Sequence, residues 1–103
     1  MRDDEKRYKV LIHDDAKLML YSHIQFLANV SVTAAQKMRD SLYEGFISLE
    51  SMPHRCALYH TNKTSNKYRQ LLVGRYQVVF SVDEKENIVH IKHILDTRQN
   101  NDF

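Results

Sequence analysis

Along residues 16–28 the apolar side chains fall at Ala16, Met19, Leu20, Ile24, Leu27 and Ala28, the three- and four-residue steps of one helix face. Residues 8–13 before it (YKVLIH) form a β-rich run, and Asp14 or Asp15 is expected to cap the helix. The polar break at Asn29–Thr33 ends this pattern, and Ser31 or Thr33 can cap a second helix. There Ala35, Met38, Leu42, Phe46 and Leu49 make one stripe, which Pro53 is expected to close. Residues 54–66 are polar and without period. Then the rhythm changes to strands, at residues 67–73, 76–82 and 88–95. Gly74-Arg75 reads as the turn of a hairpin, and residues 83–87 as the next turn. The order β-α-α-β-β-β predicts an α+β fold with both N-terminal helices on one face of an antiparallel sheet. Alternation places Tyr76, Val78, Phe80 and Val82 toward the helices and Gln77, Val79 and Ser81 away. In the last strand it sets Val89, Ile91, His93 and Leu95 opposite Ile88, His90, Lys92 and Ile94, so that Gln77, His90 and Lys92 share the polar side. Lys67 and Arg69 share a face with Leu71 and Val73, and are expected at one end of that polar side.

A chain of 103 residues, 43% hydrophobic and 27% charged, forms one domain with one modest core. The whole of 1–103 is read as that domain, with its core at about 8–98 and a polar tail. No run approaches the roughly 18 apolar residues of a membrane helix. The charged start, Met1 to Arg7, carries no visible signal peptide. Cys56 is alone, which excludes an internal disulfide and fits a reducing cytoplasm.

The net charge of +2 conceals a strong pattern. Residues 1–50 carry a net −1 and residues 83–103 a net −2, whereas residues 51–82 hold Arg55, Lys63, Lys67, Arg69 and Arg75 and no acid. A block of +5 predicts a local field that attracts an anionic partner.

Metal chemistry finds no support in the spacing. His90 and His93 are three apart on a strand and are expected on opposite faces, and no zinc-type cluster is present. Two glycines cannot build a phosphate loop, and no cofactor is implied. Metal-free RNA cleavage needs a base for the 2′-hydroxyl, cations for the phosphorane and an acid for the leaving oxygen. Lys67, Arg69, Arg75 and Arg98 can supply cations, and Lys67 or Lys92 can serve as base beside other cations.

The run Tyr68-Arg69-Gln70-Leu71-Leu72-Val73-Gly74-Arg75-Tyr76, followed by Ile94-Leu95-Asp96-Thr97-Arg98, resembles the RelE/ParE toxin superfamily over residues 8–100. The resemblance implies a cytoplasmic toxin of a type II toxin–antitoxin module, restrained by a cognate antitoxin. It implies one of two targets: the ribosome, where mRNA is cut without metal, or DNA gyrase, which is blocked. Carried onto this chain, it makes Lys67, Arg69 and Arg98 catalytic candidates. Arg75, Lys92, His90 and Phe103 are the nucleic-acid-binding candidates. Nuclease members keep an arginine where this chain has Gln77, and a tyrosine or histidine near the position of Phe103, which stacks but transfers no proton. Three functions follow: a ribosome-dependent mRNA endonuclease, a gyrase inhibitor, or an inactive member that acts only within the antitoxin complex.

Overall fold

The computed structural model describes residues 6–59 and 67–98. Strand β1 (Lys9–Ile12) leads into α1 (Asp14–Ala28) and α2 (Val32–Ser48). Strands β2 (Ala57–Leu58), β3 (Tyr68–Val73), β4 (Tyr76–Asp83) and β5 (Ile88–Asp96) follow. The α+β order expected from the sequence is therefore present. The sheet runs β1-β5-β4-β3-β2, and α1 packs over β5 while α2 packs over β3.

Two features extend the sequence-based picture. The pairing of β1 with β5 is parallel, with Lys9 opposite Ile88 and Ile12 opposite Ile91: the long connection between them, two helices and three strands, returns the chain running as β1 did. The two-residue strand β2 adds an edge, pairing with Arg69 and Gln70.

The helix ends follow local chemistry. Ser31 caps α2, its hydroxyl accepting from Ala34 N at 3.1 Å, as expected of a serine at that position. The cap of α1 is His13 rather than either aspartate. Its side chain makes no capping bond, and Asp14 and Asp15 occupy the first turn, where their charge suits the helix dipole. Pro53 does not end α2. That helix stops at Ser48, and Pro53 opens a short 3-10 turn, Pro53–Arg55, after Met52 in a left-handed conformation.

The core lies between the helices and the sheet. Leu42, Phe46 and Leu49 of the α2 stripe bury against Tyr76, Val78 and Phe80 of β4 and Val89, Ile91 and Ile94 of β5. Gly45 lets α2 approach β3, since a Cβ there would lie 3.0 Å from Val73 Cγ2. Gly74 turns the β3–β4 hairpin at φ 58°, the left-handed geometry that glycine adopts without strain.

A bulge corrects the facing of β5. Val79 pairs with His93, but Phe80 pairs with Ile91, which leaves Lys92 as the extra residue. Beyond it the alternation changes phase. Ile94 turns to the helices, while Leu95 joins Val79 and Tyr59 in a small second cluster. His93 and His90, the partners of Val79 and Ser81, thus share the face away from the helices instead of opposing each other. Among the described residues no group of three metal-ligating side chains forms. None of the described helices is long and apolar enough to cross a membrane.

Candidate functional site

The β3–β4 turn and the end of β5 meet at one end of the sheet, where Tyr76 pairs with Asp96. Thr97 locks this junction, its N–H and Oγ1 both donating to the Arg75 carbonyl at 2.8 Å. Asp96 is only 4% exposed and is held by arginines on both sides. Arg98 donates to it from its backbone N–H at 2.9 Å and from its guanidinium at 3.3 Å to Oδ2. Arg75 places Nε 3.6 Å from Oδ2 and donates from Nη2 to the Tyr76 hydroxyl at 3.0 Å. Burial alone would raise the Asp96 carboxyl's pKa. The Arg98 hydrogen bonds and the charges of both arginines outweigh it and leave the carboxyl below its ordinary value.

These groups line an open cleft of about 430 Å3 whose other walls are Ser22, His23 and Phe26 of α1. His23 Nε2 meets the Ile94 carbonyl at 2.7 Å, and its ring packs 4.8 Å from that of Tyr76. The cleft therefore combines two guanidinium groups, one buried carboxylate and aromatic walls. It can hold an anion beside an apolar group.

The opposite end of the sheet holds a different cluster. The Glu84 carboxylate accepts from Lys6 Nζ at 2.6 Å and from the Tyr8 hydroxyl at 2.9 Å, and it contacts His54 Nε2. The hydrogen bonds from Lys6 and then His54 lower its pKa to about 2. The same carboxylate raises the Lys6 ammonium, and burial raises the Tyr8 hydroxyl. The 3-10 turn that presents His54 is pinned by two arginines. Arg55 donates to the carbonyls of Ser48, Ser51 and Met52, and Arg69 to those of His54 and Cys56 at 3.3 and 2.7 Å.

The candidates from sequence are thus distributed rather than convergent. Arg69 lies opposite Phe80, on the helix side of the sheet with Leu71 and Val73, not at the end of the polar side. Lys67 stands exposed just before β3, its ammonium 5.4 Å from the Tyr68 ring centroid. Arg98 sits past Asp96, whose partner Tyr76 is four residues from Phe80 along β4, about 13 Å at the usual rise of a strand. His90 bonds His13 across 2.8 Å, while burial and then the Lys92 charge lower the His13 pKa. Lys92 is the bulge residue, and Gln77 is engaged with Gln70. Phe103 lies outside the described residues.

Sequence reasoning missed Asp96 and Glu84. A signal for Asp96 existed: an acid closing an apolar strand two residues before an arginine.

Residues 10–101 match the ParE toxin of the type II toxin–antitoxin system parDE. This chain belongs to the ParE toxin family. Among solved structures, the ParE-family chain resembles the toxin–antitoxin complex RelBE2 from Mycobacterium tuberculosis. The identity is 18% and the TM-score 0.64, covering 92% of this chain and 97% of that one. At that identity the likeness carries the shared ParE/RelE fold. Among curated proteins no match was found.

Proposed function

We propose that this ParE-family toxin arrests growth in the cytoplasm by binding and blocking DNA gyrase, without cutting nucleic acid, and that a cognate antitoxin restrains it. The reading rests on the separation of the cations. Metal-free RNA cleavage requires base, phosphate-holding cations and acid around one phosphodiester. Here Arg69 donates to main-chain carbonyls at one end of the sheet, and Arg98 is bound to Asp96 at the other. Gln77, in the place of an arginine, adds no charge. The family match to a ParE toxin points the same way.

The mRNA endonuclease reading requires Lys67, Arg69 and Arg98 to act together, which their placement does not favour. Purified toxin in a gyrase supercoiling reaction is expected to inhibit it, while mRNA on translating ribosomes stays intact. Ribosome-dependent cuts in the mRNA, with supercoiling unaffected, would overturn the proposal. Normal growth on expression of the toxin alone would instead favour an inactive member.

A further inference from the structure

The cleft at the hairpin end joins excess cation to exposed apolar surface. Among the described residues, two arginines share one carboxylate there, which leaves an excess of positive charge. Phe26 forms part of the wall and is 64% exposed. One turn further, Val30 in the connection between α1 and α2 is 78% exposed, and Val32, the first residue of α2, is 62% exposed. Large apolar side chains gathered at a surface beside uncompensated charge mark a binding face.

We propose that this end of the toxin grips its protein target: an acidic side chain from the folded surface of gyrase enters between Arg75 and Arg98, and an apolar neighbour packs on Phe26 and Val30. This deepens the gyrase reading above and rests on it. The chemistry favours a folded protein over the alternatives. The arginines are set in advance, Arg98 by Asp96 and the Arg75 backbone by Thr97, so little order is lost when a rigid partner docks. An open cleft of about 430 Å3 has room for a protruding side chain together with its neighbours on a partner surface. A disordered antitoxin segment gains its affinity by wrapping long surfaces. A nucleic-acid strand draws most of its affinity from phosphates paired with cations, and Asp96 already balances one of the two arginines.

The test uses full-length toxin, supercoiling inhibition and antitoxin binding. Phe26→Asp changes an exposed side chain, and Arg98→Glu reverses the charge; circular dichroism and thermal melting confirm that each folds. Each variant is expected to need at least about tenfold more protein for half-inhibition, the size of effect seen at interface hot spots, while binding antitoxin as the parent does. Half-inhibition at the parent concentration in both variants overturns the proposal and leaves the gyrase reading standing. Lost antitoxin binding with unchanged inhibition assigns the cleft to the antitoxin and overturns it. So does binding of a single-stranded oligonucleotide that disappears in Arg98→Glu while inhibition is unchanged. A parent toxin that fails to inhibit gyrase at all overturns the gyrase reading itself.

Discussion

At the hairpin end a carboxylate, Asp96, is buried beneath two arginines; at the other end Glu84, about half exposed, gathers Lys6, Tyr8 and His54. Both carboxyls titrate below their ordinary values. Burial separates them energetically. A charge removed from water must be satisfied by its partners or it costs several kcal/mol, whereas an exposed pair exchanges one hydrated contact for another. The Asp96 knot is therefore part of the architecture, and the Glu84 cluster is a surface tie between the N-terminal segment, the 3-10 turn and the β4–β5 turn. The arginines differ likewise. Arg98 is held by Asp96 yet 58% exposed in its side chain, while Arg69 serves the main chain.

The largest test of this contrast is Asp96→Ala, which leaves Arg75 with its Nε buried and no carboxylate facing it. Urea unfolding is expected to show a loss of about 3 kcal/mol. A loss below about 1 kcal/mol would mean that the two ends are energetically alike.

Arg69→Ala comes next. It strips the donors from the His54 and Cys56 carbonyls and is expected to cost about 1–2 kcal/mol. Inhibition per folded molecule should remain at the parent level. A toxin of full stability but no activity would restore Arg69 to the catalytic role the sequence suggested.

Glu84→Gln gives the smallest effect. The folded pKa of Glu84 is about 2, below its ordinary value near 4.5. Its stabilisation is thus fully present above about pH 4.5 and lost as the pH falls toward about 2. The variant should flatten that part of the acid limb, and salt near ~1 M should do the same to the parent. Asp96 titrates in the same direction, but its buried contribution should persist in salt. An acid limb unaffected by salt would show that Glu84 is not the exposed partner its geometry indicates.

Much of the fold was legible because it rests on local periodicity. The α2 stripe, the Tyr76-Val78-Phe80 alternation and the Gly74 turn each follow from spacing a few residues long. The bulge at Lys92 was not legible: one extra residue in an unbroken apolar strand leaves no compositional mark, yet it moved Ile94 into the core and His93 out of it. Parallel pairing of β1 was hidden for a different reason, since it depends on where two helices and three further strands return the chain. The site suffered most from long-range pairing. An acid-free block of +5 promised a free positive field, but Asp96 and Glu84 come from the acidic last third and fold onto it. Linear charge counts cannot see this.

The place of β5 inside the sheet, between β1 and β4, has a consequence for synthesis. It joins β1 on one side and β4 on the other, and Lys9 waits for Ile88 before it can pair. While the ribosome is still making residues 88–96, the helices have no complete sheet to cover, and Val89, Ile91 and Ile94 are missing from the core. Such distant pairing delays folding until late in translation. The cleft of Arg75, Asp96 and Arg98 is assembled by the same last strand. A growing chain accordingly cannot present this surface early, and a cell making the toxin gains the interval of its own translation in which to have antitoxin ready.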